Sequence, residues 1–264
     1  MAKKADASSP VARSQALRRG LDIICLFSDS KREWGISELA RHLGEHKSIV
    51  HRTVKTLEDA GFLRQDAQSR RYSLGFTAYQ IGVVAARRFG FTPEIRGKFR
   101  QLSEKIGATV YIVVRDGDAN RIVDTFETSA LIRFHSPIGS RVPWNRGASS
   151  KVLMAYSPAD EVDRLIAKPG LSRHAKRTIV DPQAFRSELE QIRRRGYAVS
   201  DGEGFDGVLG LAAPLFGPAG EVIAALQSSM PSAGLSDRRR TEIARVIAAT
   251  AKEVSHLLRA ASAT

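Results

Sequence analysis

The chain has 264 residues, 42% of them apolar and 26% charged, the balance of a soluble globular protein with length for one large domain or two ordinary ones. No apolar run approaches the roughly 18 residues needed to span a bilayer, and the basic start MAKKADASSP has no apolar stretch behind it, so neither a membrane span nor a signal peptide is expected. The single cysteine, Cys25, excludes an internal disulfide and a multi-cysteine zinc site and fits a reducing cytoplasm.

A net charge of +13 points to a polyanionic partner or to a generally basic, solvated surface. Residues 1–75 carry 14 basic against 9 acidic residues (+5), and residues 76–264 carry 27 against 19 (+8). The excess is spread along the chain. Its arrangement must decide the matter.

Residues 1–13 read as a disordered tail. Leu17, Leu21, Ile24 and Cys25 then fall on one face of a helix over about 14–28, which places Cys25 in a core. Ile36, Leu39, Ala40 and Leu43 predict a short second helix with Ser37 near its start and Gly44 as its C-terminal cap. After GEHK comes a third, KSIVHRTVKTLEDAG. At about 100° per residue, Ser48, His51, Arg52 and Lys55 share one sector roughly 100° wide, while Val50, Val54 and Leu57 lie opposite. A helix that buries valine and leucine and presents Ser, His, Arg and Lys suits a major groove, with cations for phosphate and donors for base edges. Lys47 opens that helix. FLRQDAQSRRYSLG follows as a hairpin with Arg70 and Arg71 at its tip, placed to meet the phosphate backbone or the minor groove. Residues 14–75 thus have the outline of a winged helix-turn-helix that binds double-stranded DNA.

FTAYQIGVVAARRFGF reads as a linker helix within 76–92, and Thr92-Pro93 opens the second domain, 93–264. Ile95, Phe99, Leu102 and Ile106 form a helical stripe ending at Gly107. TVYIVVR and RIVDTFE are strands joined through Asp116-Gly117, and LIRFHS is expected as a third. Two helices follow, with Ser157 and Pro158 opening one and Asp181 and Pro182 the other. Strands at 197–200, 208–216 and 221–228 lead to a last helix capped by Ser236. The fold class is α+β, with a mostly antiparallel sheet flanked by helices.

Motifs of catalysis are scarce. SDGEGFDGVLGLAAP contains a literal G-x-G-x-x-G at Gly202, Gly204 and Gly207. The run after it reads as a strand, so no helix N-terminus faces a pyrophosphate, and Glu203 and Asp206 would repel one. Six histidines show no metal-ligand spacing, G-x-S-x-G is lacking, and Ser28-x-x-Lys31 lies in a loop. An enzyme, a cofactor and a metal are not expected.

The order of parts resembles the IclR family of bacterial transcriptional regulators. The resemblance rests on ISELARHLGEHKSIVHRTVKTLEDAGFL, RRYSLG, GSRVPWNRGASSKVLMA, DPQAFRSELEQIRRRGYAVSDGEGFDGVLGLAAPLF and AALQSSMP, and runs from about residue 14 to 260. It implies a winged helix, a linker helix and a GAF-like effector-binding domain, acting as a homodimer or dimer of dimers on operator DNA under control of a small organic, carboxylate-bearing effector. By motif it implies a pocket in which Ala148 and Ser149 offer backbone donors, with Ser200 or Asp201, Gly210, Gln227 and Ser229 facing the ligand. Asn145, Gly147 and Gly210 depart from the family's common residues and imply a different or larger ligand. Arg146 or Arg133 could pair with its carboxylate. A small-molecule sensor or enzyme domain, with DNA binding secondary, is the alternative.

Overall fold

The computed structural model describes residues 14–28, 31–87, 89–129 and 134–261. The tail 1–13 and Arg133 lie outside them. The chain divides into two compact units, one ending at Ala86 and the other beginning at Arg87.

In the first unit, α1 (Gln15–Ile24), α2 (Ile36–Leu43) and α3 (Lys47–Asp59) precede a hairpin of β1 (Leu63–Gln65) and β2 (Tyr72–Leu74). Trp34 adds a short bridge to Tyr72, with both backbone bonds made at 2.8 and 3.0 Å. Ile23, Trp34, Leu39, Val50, Val54, Leu63 and Tyr72 are the buried centre. The C-cap of α2 is Gly44 at φ +65°, where a side chain would be strained. The helix α4 (Phe76–Arg87) buries none of its residues and leaves Phe76, Tyr79, Ile81 and Val84 exposed.

Two expectations for α1 are corrected. Cys25 is exposed, and Leu17 and Leu21 are 64% and 53% exposed. The helix turns Gly20 and Ile23 inward instead, with Gly20 against Thr53 and Leu57. The apolar stripe lines an open groove against α3.

The second unit is a six-stranded, wholly antiparallel sheet in the order β5 (Arg141–Pro143), β4 (Ala119–Phe126), β3 (Val110–Asp116), β8 (Val222–Pro231), β7 (Val208–Phe216), β6 (Ala198–Asp201). Strand side chains alternate between faces. Val110, Ile112, Leu209, Leu211 and Leu226 therefore pack on one side against α5 (Pro93–Ile106) and α9 (Asp237–Ala261). Tyr111, Val113, Ala212 and Ala225 pack on the other against α6 (Gly147–Ala155), α7 (Ala159–Ala167) and α8 (Pro182–Arg195). Thr92 and Asp181 cap their helices through their side chains. Ser157 does not. Pro158 is the N-cap of α7, and the Ser157 hydroxyl donates to the Leu153 carbonyl. LIRFHS also departs from expectation: residues 131–133 lie outside the described residues, 134–136 are not strand, and β5 forms the sheet edge instead.

Candidate functional site

On α3, Lys47, Ser48, His51, Arg52 and Lys55 are exposed while Val50 and Val54 are buried, so the polar sector faces solvent. Lys55 is already paired, to Glu58 at 3.1 Å and Asp59 at 3.3 Å, and those carboxylates raise its pKa. In the hairpin the tip is Ala67, Gln68 and Ser69, held by Asp66, which accepts from the Ser69 backbone and hydroxyl at 2.8 Å. Arg70 follows at φ +56° and is exposed. Arg71 is not at the tip. Its guanidinium folds back to the Glu38 carboxylate at 2.7 Å and the Glu33 carbonyl at 3.1 Å, and Glu38 in turn accepts from the Gly35 N–H at the start of α2. Arg71 thus braces the hairpin against α2.

In the second unit, a cavity of about 560 Å³ lies between the sheet and the N-terminus of α6. The register brings its floor together: Ser200 lies opposite Gly210 and Gly210 opposite Ser229, with Tyr111 opposite Gln227 one row on. Ala148 and Gly147 form one wall, and the loop from β6 to β7 supplies Gly204, Phe205 and Asp206. Gly204 comes close to the start of α6, and a Cβ there would stand 3.4 Å from the Gly147 Cα. Ser200 is 2% exposed, lines the cavity, and its hydroxyl has no hydrogen-bond partner among the described residues.

Two of the sequence-derived residues sit elsewhere. Asp201 is one residue out of phase with Ser200 and pairs with Arg240 at 2.8 Å and Arg177 at 3.3 Å, beside a larger and more open depression of about 810 Å³. Ser149 does not line the cavity, and its backbone N–H donates to Gln227 Oε1 at 2.9 Å. The Gln227 amide nitrogen donates to Ser229 Oγ at 3.1 Å. Asn145 likewise turns to Ser172 and His174.

Arg146 lines the cavity with its guanidinium 3.7 Å from the centre of the Phe205 ring, and its Nε donates to the Gly204 carbonyl at 3.2 Å. Burial lowers its pKa, and among the described residues it pairs with no carboxylate. Other residues of the cavity were not legible from motifs: Tyr111, Ile122, Val142 and the segment Phe134, His135, Ser136. Burial pushes the Tyr111 phenol up to about 12, so it stays protonated and donates to the Phe134 carbonyl.

Behind the glycine loop lies a buried cation. Lys151 on α6 is 1% exposed, and its ammonium donates to Glu203 at 2.8 Å, Glu188 at 3.1 Å and the Val199 carbonyl at 2.6 Å. Arg195 adds a bond to Glu188 at 2.8 Å. Burial raises the Glu203 pKa, and Lys151 draws it back. Lys151 therefore fixes the loop that carries Phe205 and Asp206.

Residues 16–67 match the IclR helix-turn-helix domain, and residues 86–256 match the bacterial transcriptional regulator IclR C-terminal domain. The chain belongs to the IclR family. It is 33% identical to the HTH-type transcriptional regulator BhcR of Paracoccus denitrificans, across 91% of this chain and 86% of that protein. It is 30% identical to the transcriptional repressor IclR of Escherichia coli, across 96% and 93%. The crystal structure of the Thermotoga maritima IclR superposes with a TM-score of 0.77 at 25% identity, covering 94% of this chain and all of that one. As a member of the IclR family the chain is a DNA-binding transcriptional regulator. No helix among the described residues is long and apolar enough to cross a membrane, and no group of three metal-ligating side chains occurs among them.

Proposed function

We propose that this IclR-family regulator reads operator DNA with Lys47, Ser48, His51, Arg52 and Lys55, steadies itself on phosphate with Arg70, and is switched by a small carboxylate-bearing effector in the cavity beneath α6. The observation that carries the effector reading is the Ser200 hydroxyl, which lines the cavity without a partner among the described residues, beside Gly210 and the first turn of α6. A ligand oxygen in the cavity would give that hydroxyl the partner that the described residues do not supply, a bond worth about 0.5–1.5 kcal/mol net. The partial positive charge of a helix N-terminus favours an acid there. Ala148, Gly210, Gln227 and Ser229 complete the contact surface, and Arg146 supplies a cation.

The cavity binds and does not transform. Ser200 has no base within hydrogen-bond reach among the described residues, so nothing activates it as a nucleophile. The uncovered apolar side chains of α4 support a homodimer or dimer of dimers, and the lone cysteine fits a reducing cytoplasm. A footprint on the DNA flanking its own gene, with and without a panel of aliphatic and aromatic carboxylic acids, tests the whole reading. Protection that no acid alters would refute the switch.

Arg52→Ala should weaken operator binding more than binding to scrambled DNA, with about 1–3 kcal/mol of discrimination lost. Arg70→Ala should weaken both equally and flatten the salt dependence by about 0.9 in log–log slope. Arg71→Ala acts through the α2 brace and should lower melting temperature instead. Gel shifts across a salt series measure the first two. An unchanged operator affinity for Arg52→Ala would remove α3 as the reading helix.

A further inference from the structure

The effector domain carries more of the positive charge than the DNA-binding domain does, and a small ligand needs little of it. Much of it lies on α9. Taking Arg245 as zero and about 100° per residue, Arg238 and His256 lie near +20°, Lys252 near −20° and Arg259 near −40°. Only Thr241 and Ala249 share that sector, and all seven residues are exposed. The buried residues Ile243, Ile247, Val254 and Leu258 are on the far side. The flanking acids are engaged elsewhere, Glu242 with Arg239 at 3.0 Å and Glu253 with Lys98 at 2.6 Å. Arg238, Arg245, Lys252 and Arg259 pair with no carboxylate among the described residues.

Four cations thus recur every seven residues, about 10.5 Å apart along roughly 32 Å of helix. That length is close to the ~34 Å of one DNA turn. We propose that this face of α9 is a second contact surface for double-stranded DNA, holding phosphates outside the segment read by α3. Within the sector itself the only uncharged neighbours are threonine and alanine, although Lys252, His256 and Arg259 also border a cavity of about 420 Å³ lined by Tyr156, Pro214 and Phe216, so an acidic protein is the competing occupant that the test must separate. Evenly spaced point charges match a phosphate backbone.

The test uses the full chain, a random-sequence duplex about 40 bp long (nearly four turns) and fluorescence anisotropy across a salt series. The triple variant Arg245→Gln, Lys252→Gln, Arg259→Gln keeps helix propensity and should flatten the log–log salt slope by about 2.7, at about 0.9 per lost phosphate contact. A charge-matched control, Arg164→Gln, Lys168→Gln, Arg173→Gln, changes exposed residues on α7 and just after it, on the face of the sheet opposite α9, and should leave the slope unchanged. A wild-type slope for the α9 triple would overturn the proposal, as it would if the face served an acidic protein instead. An equal flattening by the control would also overturn it, since net charge alone would then explain the effect.

Discussion

Lys151→Ala should cost about 3–5 kcal/mol of folding stability, the range for breaking a buried ion pair by removing one partner. The ammonium has three acceptors and all are inside the domain. Arg195 can still hold Glu188, so the charge left alone is Glu203. Burial already raises that carboxyl above its ordinary value, and without Lys151 nothing strong pulls it back. A carboxyl whose folded pKa is raised favours the fold when protonated and loses that contribution as pH rises through the folded pKa. The variant should therefore be penalised less near pH 5 than near pH 8, in urea melts at the two values. Lys151→Met with Glu203→Gln removes both charges and should recover much of the loss. A loss below about 1 kcal/mol for Lys151→Ala would mean that water, and not Lys151, balances the loop.

Gly210→Leu should abolish the effector response while leaving operator binding intact. A Cβ at 210 would meet the Ala148 and Ser200 Cβ atoms at 3.6 Å, ordinary contact, so the backbone there does not demand glycine for space. The remaining carbons of leucine would enter the volume assigned to the ligand. Gly210→Ala should fold normally and weaken the response only in part. If leucine instead lowers stability by about 1–3 kcal/mol, close packing and not ligand space accounts for the glycine. Normal melting together with a normal response would take Gly210 out of the cavity's working surface.

The elements legible in the sequence were those whose signal is local. Gly44, Thr92-Pro93, Asp181-Pro182 and Asp116-Gly117 punctuate the chain through backbone chemistry that needs no tertiary partner, and the Ile95–Ile106 stripe has one large core to face. The α1 stripe misled because periodicity reports an apolar face without saying what covers it. Leu17 and Leu21 flank Gly20, and a glycine gives a hydrophobic pattern no sign that it is the contact point. Ser157 was overruled by Pro158 taking the cap position.

The cavity shows the same division. Ser200 or Asp201, Gly210, Gln227 and Ser229 were implied by the family resemblance, and the alternation of strand side chains, seen once the sheet is in hand, separates Ser200 from Asp201. Tyr111 and Ile122 come from strands distant in sequence, so only the sheet order brings them in. Lys151 sits in a helix that otherwise reads as apolar, and its partners Glu188 and Glu203 are 37 and 52 residues away. Nothing nearby in sequence marks Lys151 as a bridge.

The bond from the Ser149 amide to Gln227 has a consequence for selectivity in a crowded solution. An open amide at a helix N-terminus would attract whichever anion is most abundant, chloride or inorganic phosphate included. Here the protein's own Gln227 side chain stands in that place, so the proposed acid would have to win an exchange of one oxygen for another. A monatomic ion offers only the swap and gains almost nothing. A ligand that also reached the idle Ser200 hydroxyl would gain a further bond, and under the proposed reading that surplus would separate a signal from the ionic background.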